Sequence, residues 1–153
     1  MTSYEEKARA LFQNGYTCAQ SVLCAFCDQT GLDEKTAQRI ASSLGGGIGR
    51  LREVCGAVTG MAMVAGLLYG FEQPVSHAEK TEHYRRVQLM AQQFKSEQGS
   101  LLCRDILSLG EGPYPPEPEE RTPEYYRRRQ CCLDCIGTAA AITEKLIEKN
   151  GEL

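Results

Sequence analysis

The chain has 153 residues, eight of them cysteine, and a formal net charge of −3. This length suits one domain with a real hydrophobic core, and the acidic balance argues against a nucleic-acid-binding protein. The first residues show no basic segment followed by an apolar run, so we predict no signal peptide and a cytoplasmic location. In a reducing compartment, this many cysteines favours metal or redox chemistry over structural disulfides.

Polar capping residues mark the starts of five predicted helices. These residues are Ser3, Thr17, Asp33, Ser76 and Thr122. Glycines are predicted to end the first two helices and the one that begins at Ser76. The second helix is expected to run unbroken from its cap to about Thr30, and the last helix from its cap to about Lys149.

One further predicted helix carries no charge. It spans Val54 to Phe71, and the small residues along it would let neighbouring helices approach its backbone closely. Eighteen uncharged residues just reach the length of a membrane span. The stretch is only weakly apolar, however, and no polybasic flank would orient it in a bilayer. We therefore predict a buried helix at the centre of the fold and no membrane span.

Two loops complete the predicted fold. Gly45 to Gly49 lack the Gly-Lys-Ser/Thr of a phosphate loop, so they predict a tight turn. Residues 110–123 hold five of the six prolines and predict a surface loop that contributes no ligand. No stretch alternates with period two for long enough to be a strand. The sequence therefore predicts an all-α fold, a single compact bundle of five or six helices over residues 1–153.

Three cysteines follow glycine-containing breaks at predicted helix starts: Cys18, Cys55 and Cys103. Their spacing matches no compact zinc-finger pattern. Helix starts favour thiolates because of the helix dipole, so we expect these positions to converge at one end of the bundle. The fourth member would be one of Cys131, Cys132 and Cys135. The alternative interpretation is that the cysteines are small apolar core residues.

Two C-x-x-C pairs are present, Cys24 with Cys27 and Cys132 with Cys135. The first pair lies within a predicted helix and lacks the strand-turn-helix context of a thioredoxin motif, so we expect it to pack in the core, outside the cysteine cluster. The second pair follows the run Arg127 to Arg129. Nearby positive charge is expected to lower the pKa of those thiols.

The chain resembles the redox-active family named for the pattern C, GCAxxG, C, C. The matching stretches lie at 14–20, 45–60, 99–107 and 132–136, so the resemblance covers residues from about 4 to 147. Where the family name writes Gly-Cys-Ala, this chain has Cys55-Gly56-Ala57. The cysteine arrangement is also similar to the iron–sulfur region of split-Soret cytochromes, although the chain has no C-x-x-C-H for haem. The resemblance implies a redox role.

Our leading hypothesis is an electron-transfer or redox protein whose clustered cysteines bind an iron–sulfur cluster or another thiophilic metal. The expected ligands and redox residues are Cys18, Cys55, Cys103 and Cys132, with Cys131 or Cys135 as alternates to the last. One alternative is a metal-free thiol–disulfide redox protein that uses the same cysteines. Another is a helical interaction module with a cysteine-rich core. The expected partner is an unidentified redox protein, and the sequence leaves a homo-oligomer open.

Overall fold

The computed structural model describes residues 3–153, and within them the backbone forms nine helical segments and no strand. The segments are α1 (Tyr4–Gln13), α2 (Cys18–Ala25), α3 (Cys27–Thr30), α4 (Glu34–Ser42), α5 (Gly56–Tyr69), α6 (His77–Gln98), α7 (Cys103–Ile106), α8 (Pro123–Arg128) and α9 (Gln130–Glu148). Six helices have eight or more residues. The all-α prediction is confirmed, and three short segments of four to six residues account for the higher total.

The predicted helix caps accept hydrogen bonds from first-turn backbone amides. They are Ser3, Thr17, Asp33, Ser76 and Thr122. At Ser3 and Thr17 the capping box is complete, because the side chains of Glu6 and Gln20 accept hydrogen bonds from the cap backbone N–H groups. Local sequence therefore fixes where α1 and α2 begin, and Cys18 is the first residue of α2.

Two helices predicted as continuous are broken in the structure. The second predicted helix divides at Phe26 and the last at Arg129, where both backbones leave the helical region. Each break coincides with a tertiary contact of the residue concerned. The Phe26 ring stacks on Tyr4 with centroids 4.4 Å apart, and Arg129 donates a hydrogen bond to Glu119. Hydrophobic periodicity does not report such contacts, so the sequence predicted unbroken helices.

Helices α2 and α5 pack against each other more extensively than any other pair and form the centre of the bundle. Helices α1, α4 and α9 surround them, and α6 packs on α9 and α5. The predicted central helix is buried or partly buried from Val54 to Ala65 but emerges from Gly66 onward, where Leu67 is 49% exposed. Among residues 3–153, none of the helices has the length and apolar composition that a membrane span requires.

Close approach of α2 and α5 depends on two glycines of α5. A Cβ atom on Gly56 would lie 2.9 Å from the backbone nitrogen of Ala19 and 3.0 Å from the Cβ atom of Cys18. A Cβ atom on Gly60 would lie 2.9 Å from that of Val22. All three distances are tighter than ordinary packing contacts, so the missing side chains set the separation of the two helices.

We expect Gly60→Ala to destabilise the fold. The added methyl would collide with Val22 and with the carbonyl oxygen of Ala19, 3.1 Å away, and overpacking of this kind costs about 1–3 kcal/mol. Gly66→Ala is the matched control, since it lies on the same helix with no atom within 4 Å of its Cβ position. That change should stabilise the protein by up to about 1 kcal/mol through helix propensity. Urea unfolding of both variants measures the difference, and equal effects would contradict the packing argument.

Candidate functional site

One cavity of about 330 Å³ gathers cysteines from distant parts of the chain. Its wall contains Cys18, Cys55, Cys103, Cys132 and Cys135. The four positions chosen from sequence thus lie around one space, together with one of the two alternates. The remaining cysteines of the chain lie outside this wall. All eight are free thiols.

Helix geometry places most of these cysteines. Cys18 is the first residue of α2, and Cys55 is the N-cap of α5 rather than a residue of its first turn. Cys132 and Cys135 lie three residues apart near the start of α9, which places them on one side of that helix. The ends of α2 and α5 meet because Gly56 contacts Cys18 and Ala19.

A short backbone pairing brings Cys103 beside Cys55. Val54 and Leu102 form an isolated antiparallel bridge. The backbone N–H of Cys55 donates to the carbonyl oxygen of Leu101 at 2.8 Å, and that of Cys103 donates to the carbonyl oxygen of Glu53 at 2.6 Å. This pairing is too short to produce an alternating sequence pattern, so the sequence did not reveal it.

The glycine loop forms another part of the cavity wall. Residues 46–50 all have positive φ, between 55° and 69°, and they include the non-glycine residues Ile48 and Arg50. Such a run is rare, because a residue with a side chain disfavours the left-handed backbone region with positive φ. Gly47 packs directly on the thiol-bearing segment, because a Cβ atom there would lie 2.8 Å from that of Cys103. The predicted tight turn is confirmed, and it supports Cys103.

Cys55 and Cys135 are neighbouring thiols of the cavity, and their pKa values shift in opposite directions. The interaction with the Cys135 thiol lowers the pKa of Cys55, and the backbone amides of Ala57 and Val58 lower it further, against the effect of burial. The interaction with Cys55, together with burial, raises the pKa of Cys135 above its ordinary value. The Cys135 thiol donates its hydrogen bond to the Oε1 atom of Gln98, with 3.7 Å between the two atoms. The prediction that Cys55 favours the thiolate is confirmed, although the neighbouring thiol contributes more than the helix start.

Cys132 behaves differently from the prediction. A hydrogen bond from Cys131 lowers the pKa of Cys132, but a hydrogen bond with Cys18 and burial raise it above the ordinary value. The predicted lowering by the arginine run is therefore wrong. Arg127 and Arg128 are exposed, so solvent screens their charges, whereas the Cys18 thiol and burial act directly on Cys132.

Cys103 has a cationic neighbour. The Nη1 group of Arg52 donates a hydrogen bond to the Sγ atom of Cys103 at 3.5 Å. Burial raises the pKa of Cys103, and both the hydrogen bond and the charge of Arg52 oppose that rise. Arg52 thus favours negative charge on this sulfur.

The proline-rich loop lies on the surface as predicted, but it also contributes to the cavity. Its residues Pro116, Pro118, Glu119 and Arg121 line the space. The guanidinium of Arg121 lies 4.7 Å from the ring centroid of Phe12. It also donates hydrogen bonds at 3.3 Å to two backbone carbonyl oxygens. The loop is therefore fixed against the helices and forms part of the wall of the site.

Cys24 and Cys27 pack outside the cavity, as expected. Cys24 is 4% exposed, and burial, followed by the charge of Cys27, raises its pKa to about 12. Burial also raises the pKa of Cys27. Thiols held in the neutral form are poor nucleophiles, so this pair suits core packing better than redox chemistry.

Stability should fall at alkaline pH because Cys24 resists ionisation in the fold. Its pKa rises from 9.0 to about 12, so between these values the unfolded chain loses the proton and the folded chain keeps it. Each pH unit in that window then costs at most about 1.4 kcal/mol of unfolding free energy. We expect Cys24→Ser to flatten the decline, measured by urea unfolding of the reduced protein at several pH values. Parallel curves for variant and wild type would contradict the assignment.

The thiols do not form a site for a single metal ion. Within residues 3–153, no group of three or more Cys, His, Asp or Glu side chains has a geometry that holds one ion. A mononuclear zinc site needs its sulfurs about 2.3 Å from one point. Five of the cysteines instead line the cavity of about 330 Å³ described above.

The fold and the cavity define an all-helical protein with free thiols gathered around one space. The chain belongs to the family described as "Putative redox-active protein (C_GCAxxG_C_C)", whose model matches residues 16–146. That range includes all eight cysteines. Neither a curated protein nor a solved structure matches the chain. Family membership agrees with a redox role for the cysteines.

Sequence reasoning missed the charged part of the cavity wall, which consists of Arg50, Arg52, Glu119, Arg121 and Arg129. The sequence predicted an effect of Arg129 on Cys132 and Cys135, but not its position in the cavity wall. The other four lie in loops, where no periodicity predicts the direction of a side chain. The position of Arg50 and Arg52 directly after the glycine loop was the one available signal.

Proposed function

We propose that this protein transfers electrons through an iron–sulfur cluster held by Cys18, Cys55, Cys103 and Cys132. The observation that carries the proposal is the convergence of these thiols, from four separate helix starts, on one cavity. Four thiolates are the usual ligand set of such clusters. The redox-active family to which the chain belongs supports the same role.

The donor set and the cavity fit a polynuclear cluster better than a single ion. The cavity, at about 330 Å³, is far larger than the volume of roughly 30 Å³ that one water takes. Four arginines in the wall would offset the negative charge that several thiolates bring. When bound, the cluster would supply one-electron chemistry.

The chain's own residues would tune and shield the sulfurs. Arg52 donates a hydrogen bond to Cys103, and the neighbouring Cys135 thiol lowers the pKa of Cys55. Hydrogen bonds to ligand sulfur are one means by which proteins set a cluster's potential. The glycine loop and the segment from Pro116 to Arg121 cover the cavity and would limit solvent access.

The neighbouring thiols of Cys55 and Cys135, which line the same cavity, favour a second candidate, a metal-free thiol–disulfide protein. The Cys55 thiolate would attack a partner disulfide and form a mixed disulfide, releasing one partner thiolate. Cys135 would then lose its proton and attack the Cys55 sulfur, releasing the second partner thiolate. The products are a Cys55–Cys135 disulfide and a reduced partner dithiol, so two electrons move from this chain to the partner.

Anaerobic purification and reconstitution with ferrous iron and sulfide test the first proposal. We expect visible absorbance that is bleached by a chemical reductant, with iron and sulfide bound in stoichiometric amounts. A colourless protein that binds no iron would refute the cluster. If that protein also shows a reversible two-electron titration, with a Cys55–Cys135 disulfide identified by peptide mass spectrometry, the second candidate is correct.

A further inference from the structure

Arg52 is a buried cation without a carboxylate partner. Its side chain lines the cavity, and the residue is only 7% exposed. In the described part of the chain it takes part in no salt bridge, and the Sγ atom of Cys103 is its one hydrogen-bond acceptor. A guanidinium has five N–H donors, so most of those of Arg52 have no protein acceptor.

An unpaired buried charge is unfavourable unless something else pairs with it. The unpaired N–H groups of Arg52 are not sealed inside the protein, because residues 3–153 contain no fully buried arginine nitrogen without a partner. They therefore remain open to the cavity that Arg52 lines. The planar fork of a guanidinium matches the geometry of an oxyanion.

The rest of the wall has an excess of positive charge. Arg50, Arg121 and Arg129 line the cavity together with Arg52, and Glu119 is the one carboxylate of the described wall. The carboxylate of Glu119 forms ion pairs with Arg129, 2.7 Å from Oε1, and with Arg128, 3.6 Å from Oε2, although the buried Oε2 atom has no hydrogen-bond partner. The chain as a whole carries a charge of −3, so the cavity is cationic in an acidic protein.

The glycine loop adds backbone donors to the same wall. Its internal hydrogen bonds use the N–H groups of residues 48 and 50–53 but none from Gly46, Gly47 or Gly49. All three glycines line the cavity. Successive amides in a left-handed backbone run can form concave sites that bind anions. This loop differs from the phosphate loop of a nucleotide-binding protein, because its cation is Arg52, three residues after Gly49, and not a Lys.

We propose that the cavity binds a small oxyanion beside Cys103, with Arg52 as its principal ligand and the glycine loop as a second source of donors. The inference deepens the proposed function, since it names the class of small molecule that this redox site would accept. It rests on that function for the redox role of the neighbouring thiols, whereas the binding itself can be measured without any metal.

Calorimetric titration of the full-length, reduced, metal-free protein with sodium sulfate and with sodium phosphate tests the proposal. Chloride at matched ionic strength serves as the reference for non-specific screening. We expect saturable binding of the two oxyanions, weakened about tenfold or more by Arg52→Gln and less by Arg52→Lys, which keeps the charge but loses the fork. Arg85→Gln removes an exposed arginine of α6 outside the cavity and should leave binding unchanged.

Binding no stronger than that of chloride, or equal affinity of wild type and Arg52→Gln, would overturn the proposal. Circular dichroism checks that each variant is folded. If Arg52→Gln does not fold, wild-type protein is treated with an arginine-directed dicarbonyl reagent, and phosphate should protect Arg52 from modification. Equal labelling with and without phosphate would also overturn the proposal.

Iron loading of the same wild-type preparation separates the two proposals. Oxyanion binding without iron loading refutes the cluster and keeps the anion site. Iron loading without oxyanion binding refutes the anion site alone.

Discussion

Serine at position 55 should abolish iron loading. Cys55 is the N-cap of α5, and its surroundings lower its pKa, first through the neighbouring thiol of Cys135. A hydroxyl in its place is a far weaker ligand for soft metals than a thiolate. Changes to residues that only contact a metal ligand already cost about 10- to 100-fold in affinity, so loss of the ligand itself should cost at least that. Iron and sulfide per chain after anaerobic reconstitution measure the effect.

Two control variants sharpen this prediction. Cys24→Ser changes a buried thiol outside the cavity and should retain full iron content. Cys135→Ala removes the thiol that lowers the pKa of Cys55 but leaves the proposed ligands in place, so it should weaken loading by about 10- to 100-fold and shift the reduction potential. If Cys55→Ser loads as much iron as Cys24→Ser, Cys55 is not a ligand, and the proposed set is wrong.

Local chemistry made much of this fold predictable. A cap such as Thr17 marks a helix start in the sequence, because all its hydrogen bonds are local. Its hydroxyl accepts from the backbone N–H of Gln20, and the Gln20 side chain accepts from the backbone N–H of Thr17. The absence of charged residues from Gly56 to Ala65 likewise indicates that this stretch is buried. These features need no knowledge of the rest of the chain, so sequence alone was sufficient to place Cys18 and Cys55 at helix starts.

The parts that sequence missed depend on distant contacts. Arg129 ends α8 while its guanidinium binds Glu119, ten residues away in a loop. Arg52 meets Cys103 across a single backbone bridge. No period or cap encodes either contact, so the cationic wall of the cavity became visible only in three dimensions. The pKa of Cys132 was mispredicted for the same reason, because the distant residue Cys18 and burial raise it.

Alanine at position 47 should both destabilise the protein and disturb the site. Gly47 has φ of 68°, a conformation that costs a residue with a Cβ atom about 1–2 kcal/mol. The new methyl would also lie 2.8 Å from the Cβ atom of Cys103 and 2.8 Å from the backbone nitrogen of Glu53. Overpacking adds about 1–3 kcal/mol, and the collision would push Cys103 away from the cavity. Urea unfolding and iron loading measure the two effects.

Gly49→Ala separates the collision from the backbone cost. Gly49 lies in the same loop with φ of 55°, but its nearest neighbour, the carbonyl oxygen of Ser43, would be 3.7 Å from the added Cβ atom, an ordinary contact. Both variants therefore carry the conformational cost, and only Gly47→Ala displaces Cys103. We expect Gly49→Ala to lose about 1–2 kcal/mol and still load iron, whereas Gly47→Ala loses more stability and loads little. Equal iron content in the two folded variants would show that the contact between the glycine loop and Cys103 does not position that thiol.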